Sequence, residues 1–527
     1  MATLTPPRVL LAAAVVLAAC SSVPVETERA DVAVGPVPTI PGPPATSTES
    51  ADTETTASAP PDTPATTDTA PTTDTAVPDP ERTREPDLGV GDDLFPDLGS
   101  SDVDVQSYLV RLTVDPSRDE IDGIVTIEAE IADDIAVMPL DQIGLDVDQV
   151  AVDGDEAEFE LTDTELLVEL PPDVASVVTV RIEYSFVPNG ATSAVGLPSG
   201  WFVNAATDDS YVLNEPDGAR SWMPSNDHPS DKAKWTFEVT VPPGTTAAAN
   251  GELIARTSVD GDDVWIWAEF EPMPTYLVQL IVGSYEVVVA DPVELASGRE
   301  VPLTHVVPAG ERTVFEAAFE SIGPQMDFFE ARFGPYPLER YGLAFVNDLS
   351  GLAMETQGRS MFGADDFAPE APEFLQELLL SHELAHQWFG NAVSPATWGD
   401  IWLNESLATY AQWLWLDEAG LQPLDDFAAE MLARRQVDGE STGDPSVSEL
   451  FGFLRYDGGA PIVHALRLTM GDDPFFELLS DWVADNADTS RTTDDFIDLA
   501  TEVHRSDLTA FFDAWLFAGD LPDEYPS

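Results

Sequence analysis

Six histidines occur in the 527 residues, and two of them stand four apart in His382-Glu383-Leu384-Ala385-His386. On a helix that spacing puts both imidazoles on one face, about 6 Å apart along the axis, where they can converge on one metal ion. Glu383 lies about 100° round from His382, placed to take a proton from an attacking water. A hydrolytic site of this kind needs a third protein ligand and an open fourth position. Glu405 is the candidate, with eighteen residues between it and His386, at the start of the next helical run. Two imidazoles and one carboxylate, without sulfur, favour a single zinc ion over a redox metal.

The elements that must carry these residues are legible nearby. Glu373 to Phe389 predicts a helix, because Phe374, Leu375, Leu378, Leu379 and Ala385 recur at helical spacing and Gly390-Asn391 stops it. Asn404 to Ala419 predicts a second helix ending at Gly420, and the loop between lets the two meet. Thr313 to Phe333 is also helical in pattern, with an interruption expected at Gly323-Pro324. Upstream the period changes to two. Val125, Ile127, Ala129 and Ile131 alternate with polar residues, as do Val178 to Phe186 and Trp235 to Val241. The fold class is therefore multidomain α and β: an antiparallel β-domain over 103–291 followed by a mainly helical domain over 292–527.

The chain upstream of 103 has a different character. Arg8 and the apolar run Val9 to Ala18 form a signal peptide over 1–20, too short to span a bilayer. It ends in Leu17-Ala18-Ala19-Cys20, which resembles a bacterial lipobox, so Cys20 is the expected lipidation site and the protein an exported, membrane-anchored lipoprotein. Cys20 is the only cysteine, which excludes a disulfide within the chain. Residues 21–102 are rich in Thr, Pro, Ala and Asp, with Thr66 to Ala70 repeated as Thr72 to Ala76, and read as a disordered tether. No aromatic residue precedes Phe95. Ninety-seven acidic against 22 basic residues give a formal charge of −75, which repels nucleic acid and favours solubility.

Leu380 to Asn391, read Leu-Ser-His-Glu-Leu-Ala-His-Gln-Trp-Phe-Gly-Asn, resembles the zinc helix of the aminopeptidase N family of gluzincins, to which leukotriene hydrolase belongs. Trp402-Leu403-Asn404-Glu405-Ser406-Leu407-Ala408 is similar to its second helix, where Gly-Phe is usual in place of Ser406-Leu407. Leu352-Ala353-Met354-Glu355-Thr356 is similar to the family's Gly-Ala-Met-Glu-Asn edge strand, with Leu352 replacing the first Gly. The resemblance implies substrate binding by Ala353, Met354 and Glu355, with the Glu355 carboxylate on the substrate's α-ammonium group. Glu215, in Glu215-Pro216-Asp217-Gly218-Ala219-Arg220, matches the segment that contributes a second acidic anchor. Two carboxylates that pair only with a free N-terminus give exopeptidase specificity. Tyr456-Asp457-Gly458-Gly459-Ala460 resembles the family's Tyr-x-x-Gly-Ala segment, whose Tyr hydroxyl stabilises the oxyanion, and Tyr456 lies seventy residues past His386. Tyr410, on the helix of Glu405, is its nearest rival and reads as packing.

The resemblance runs from Val103 to Ser527 and implies a saddle-like β-domain followed by a thermolysin-like catalytic domain. Many members add a large C-terminal helical domain. The chain ends soon after Phe511 to Leu516, so a form without that domain is expected. The implied activity is a zinc aminopeptidase acting on peptides with a free N-terminus. The alternatives are a zinc endopeptidase or other hydrolase on the same site, or a non-catalytic peptide-binding surface lipoprotein.

Overall fold

The computed structural model of the protein describes residues 82–116, 118–204, 206–435 and 440–526. The expected signal peptide, Cys20 and the tether as far as residue 81 lie outside the described residues. Among the described residues no helix is long and apolar enough to cross a membrane.

The period-two segments form the strands their alternation predicts. In Ala233–Val241 the side chains of Trp235, Phe237, Val239 and Val241 are buried and those between them are not. This strand lies in an eight-stranded sheet between Asp262–Met273 and Val103–Thr113, and Val103–Thr113 pairs next with Ile121–Ile131. Every pairing in that sheet is antiparallel except one: Val103–Thr113 runs parallel to Ala233–Val241. The long chain between the two supplies the crossover that a parallel pair requires. Tyr108 stacks on Trp235 at 4.1 Å within the core beneath. A second, five-stranded sheet carries Asp209–Leu213 beside Leu280–Gly283, and it delivers the chain to Glu215.

The β-domain ends earlier than the expected residue 291. Tyr285–Glu294 pairs with Glu300–Pro308 and opens a new five-stranded sheet, continued by Leu343–Val346, Ser360–Gly363 and the edge strand Ala353–Met354. A period of two reads alike on both sides of such a junction, so it cannot show which sheet a strand joins.

Helices then build the second core. Helix α1 (Glu316–Phe333) runs unbroken through Pro324, against the expected interruption. Burial of Ile322, Met326, Phe329 and Phe333 outweighs the missing N–H. The Glu320 carbonyl that Pro324 leaves without a helical donor belongs to an exposed residue. Helix α2 (Glu373–Ala385) is shorter than the expected 373–389. His386 caps it while keeping helical dihedrals, and the chain then turns at Gly390, where φ is 122°. Helix α3 (Trp402–Glu418) is buried along nearly its whole length against α2 and against α5, Ala460–Met470, which follows α4, Leu424–Arg435.

Residues 82–102 correct the expected tether, for they are seated on the folded domains. The Arg84 guanidinium pairs with Asp102 and Asp134. Asp92 is fully buried, and its carboxylate accepts from the Trp398 N–H of the helical domain at 2.7 Å and faces His228 of the β-domain at 3.3 Å. Composition conceals this, because a few buried polar contacts hold a segment that has almost no aromatic side chains.

Candidate metal centre and active site

Helices α2 and α3 bring three ligand atoms to one point. The Nε2 atoms of His382 and His386 are 3.1 Å apart, and each lies 3.4 Å from Oε2 of Glu405. A tetrahedral zinc with bonds of about 2.0–2.1 Å would need ligand atoms about 3.3–3.4 Å apart, so the triangle has the edge lengths of a tetrahedron's face. Glu405 Oε2 is buried with no hydrogen-bond partner, as expected of an atom reserved for a cation. His386 Nδ1 faces the Phe389 carbonyl at 3.0 Å, which fixes the tautomer and leaves Nε2 bare for a metal. Residues present therefore fit zinc.

The charges around that triangle are buried carboxylates. Glu383, Glu355 and His386 bring ligand atoms within 4.8 Å of one another, and so do Glu215, Glu355 and Glu405. Burial pushes the Glu383 and Glu215 carboxyls well above the usual carboxylate range, and the neighbouring acids add to it. Glu355 moves the same way for the same first cause, opposed by His386. Burial would raise Glu405 too, but His386 and His382 hold it down to about 2. Four buried acids gathered around two imidazoles make a site that calls for cations.

Glu215 and Glu355 reach this site from opposite domains. Asn214 holds the Glu215 turn: its Oδ1 accepts from Trp222 Nε1 at 2.9 Å and its Nδ2 donates to the Val278 carbonyl at 2.9 Å. Glu355 follows the edge strand, and its carbonyl accepts from Gln387 Nε2 at 3.2 Å and Asn391 Nδ2 at 2.7 Å. One oxygen of each carboxylate, Glu215 Oε1 and Glu355 Oε1, is buried without a hydrogen-bond partner. Of the edge strand itself, Met354 is turned into the core shared with the β-domain, while Ala353 is half-buried.

Tyr456 sits in the turn before α5, with its ring stacked 6.0 Å from that of His382. Burial, then Glu405, Glu215 and Glu355, raise its hydroxyl well above the ordinary tyrosine value, so it stays a proton donor. Tyr410 is elsewhere: its hydroxyl lies 3.0 Å from His464 Nδ1 in the helical core. The structure thus brings His382, Glu383, His386, Glu405, Glu215, Glu355 and Tyr456 together, whereas Met354 is turned into the core and Ala353 lies half-buried on the edge strand.

Three supporting residues have no role in the sequence reading. Gln387 links Glu355 to α2 and also accepts from the Gly358 N–H at 2.9 Å. Asn391 makes the second link to Glu355. Lys232 of the β-domain donates to the carbonyls of Asn391 and Ala392, at 2.8 and 3.0 Å, just past the metal-ligand helix. Its rarity was the available signal, because the chain has only one other lysine.

Comparison with known proteins agrees with this arrangement. Residues 105–277 match the peptidase M1 N-terminal domain, and residues 317–515 match the peptidase family M1 domain. The chain is 28% identical over 447 residues to aminopeptidase N of Streptomyces lividans, covering 78% of this chain and 50% of the relative. It is 26% identical over 445 residues to a leucyl aminopeptidase of Saccharolobus solfataricus, covering 80% and 54%. The chain thus spans about half the length of these curated relatives. Among solved structures, an M1 zinc metallopeptidase of Deinococcus radiodurans superposes with a TM-score of 0.74 at 32% identity, over 83% of this chain and 99% of that one. A mutant of that metallopeptidase bound to a Tyr-Ser-Ala substrate gives 0.74 at 31%, again over 83% and 99%. With both domains matched in order, a solved structure 32% identical and matched over 99% of its own length, and a site that fits zinc, the chain belongs to peptidase family M1.

Proposed function

We propose that the protein is a zinc-dependent aminopeptidase that hydrolyses the first peptide bond of peptides with a free N-terminus. The observation that carries this is the pair of orphaned carboxylate oxygens on Glu215 and Glu355, buried beside the His382–His386–Glu405 triangle. A substrate ammonium offers them charge-assisted hydrogen bonds, whereas an internal peptide would leave them unpaired at a cost of several kcal/mol.

His382, His386 and Glu405 hold the zinc, which when bound polarises the scissile carbonyl and acidifies water. Glu215 and Glu355 clamp the substrate amine, so the bond brought to the metal is the first one. Glu383 accepts the proton of the attacking water and returns it to the leaving amine. Tyr456, kept protonated by its acidic surroundings, donates a hydrogen bond to the oxyanion. Hydrolysis of a fluorogenic aminoacyl substrate tests the metal requirement. Activity should vanish with a chelator and return with one equivalent of zinc; undiminished activity in metal-free protein would refute it.

The cellular placement is a further proposal, supported by the lipobox-like run before Cys20. Cys20 carries a lipid after export and holds the catalytic domains outside the cytoplasm on a membrane. Metabolic labelling with a fatty acid analogue should mark the wild-type chain and not Cys20→Ser; equal labelling of both would refute it.

A further inference from the structure

We infer that Tyr276 of the β-domain is a positioning residue for the metal: its hydroxyl sets the turn after His386 against the start of α3, which carries Glu405. The inference rests on the zinc site of the function proposed above. The β-domain grips that turn at three successive carbonyls. Tyr276 takes Gly390, and Lys232 takes Asn391 and Ala392. Of these two donors, Tyr276 also reaches α3.

The ring stands on a fixed base. Thr275–Leu277 is one tight helical turn, buried throughout, between the strand Asp262–Met273 of the eight-stranded sheet and Leu280–Gly283 of the five-stranded one. The Leu277 carbonyl accepts from Asn250 Nδ2 at 3.0 Å and from the Gln357 N–H at 3.3 Å, which ties the turn to the segment that follows Glu355. The Tyr276 ring packs edge-on to Trp398 at 5.4 Å. Replacing tyrosine by phenylalanine would keep this packing and remove the hydroxyl alone.

The hydroxyl bridges the two ligand-bearing elements. It donates to the Gly390 carbonyl at 3.0 Å and accepts from Nδ2 of Asn404, the residue before Glu405, at 3.3 Å. The approach leaves no room for a side chain: a Cβ on Gly390 would lie 3.1 Å from Asn404 Nδ2 and 3.4 Å from His386 Nδ1. The same turn serves His386 directly, because its Nδ1 faces the Phe389 carbonyl at 3.0 Å. Burial, then Glu355 and Glu215, raise the Tyr276 hydroxyl well above the ordinary tyrosine value, so it keeps the proton it donates. Ser394 Oγ donates to the Gly390 carbonyl as well, at 2.7 Å. Without the Tyr276 hydroxyl that carbonyl still has a donor, and what is lost is the link across to Asn404. Such outer contacts fix the orientation of metal ligands.

The test reads zinc alone, on the full chain. Competition with a chromophoric chelator gives the zinc Kd of the wild type, Tyr276→Phe, Asn404→Ala and the double variant, and heat unfolding of the metal-free forms gives their stability. Tyr276→Phe should raise the zinc Kd about 10–100-fold while the metal-free Tm stays close to that of the wild type. The double variant should bind zinc no worse than the weaker single one, because both substitutions remove one link. An unchanged zinc Kd in Tyr276→Phe, with or without a fall in Tm, would overturn the assignment, and so would additive losses in the double variant. If Tyr276→Phe does not fold, Asn404→Ala decides by the same zinc measurement. No peptide is used, so a protein that shows these zinc affinities but cleaves no free-amine peptide would refute the aminopeptidase function and uphold the role of Tyr276.

Discussion

Ser406 donates its hydroxyl hydrogen to the Arg455 carbonyl at 2.6 Å, so the residue after Glu405 is tied to the residue before Tyr456, the tyrosine proposed to bind the oxyanion. The approach is close: a Cβ on Gly459 would lie 2.0 Å from Ser406 Oγ and 2.9 Å from the Leu454 carbonyl. Gly459→Ala should therefore push the Tyr456 turn away from α3 and lower kcat by at least tenfold with zinc retained. Ser406→Gly in the same chain removes the nearer obstruction and should restore part of the loss. Additive losses in the double variant would show that the two positions are not coupled in this way.

In the proposed mechanism Glu383 and Tyr456 act on the reaction rather than on the metal. Glu383→Gln should cost about 10²–10⁴ in kcat and Tyr456→Phe about 10²–10³, each with a full equivalent of zinc and little change in KM. Metal content by atomic spectroscopy, taken beside the kinetics, checks both. Loss of zinc in either variant would mean a structural role.

Lys232 joins the β-domain to the loop that carries Asn391, and Asn391 in turn holds Glu355. Lys232→Met leaves the buried Asn391 carbonyl without its donor, while the Ala392 carbonyl keeps the Asp488 N–H at 2.8 Å, and should destabilise the protein by about 1–3 kcal/mol. Because Glu355 loses support, KM for a free-amine peptide should rise more than kcat falls. A variant that unfolds at the wild-type denaturant midpoint would contradict this.

Asp227 predicts a pH dependence of stability. Burial, reinforced by Asp141, pushes its carboxyl up to about 7. A carboxyl raised in the folded state contributes stability that is complete below about pH 4, its unfolded pKa, and is lost as pH rises to about 7. Asp227→Asn, which keeps an oxygen to accept the Arg220 N–H, should leave Tm nearly unchanged at pH 4 and raise it by a few degrees at pH 8. An equal shift at both pH values would show that the charge is not the cause.

Much of the site was legible in the sequence because its chemistry is local. His382, Glu383 and His386 share one helix, and helical spacing alone converges them. Glu405 followed from the need for a third ligand. Glu215, Glu355 and Tyr456 lie far apart in the chain, and only the family resemblance joined them to the site, since no local period reports a contact across two domains. Ser406 shows the limit from the other side. It reads as a departure from the family pattern, and its bond to Arg455 depends on a helix pairing that sequence does not display. The strap over 82–102 was hidden for a related reason: Asp92 is one acid among 97 until the fold places it against Trp398 and His228.

The most direct test of the central claim compares one peptide with a free N-terminus and the same peptide N-acetylated, both on the zinc-loaded protein. The account predicts a loss of at least a hundredfold in kcat/KM on acetylation. In Glu215→Gln and Glu355→Gln, cleavage of the free peptide should fall and the ratio should shrink. Cleavage of both forms at similar rates by the wild-type protein would contradict the amine clamp and with it the aminopeptidase function.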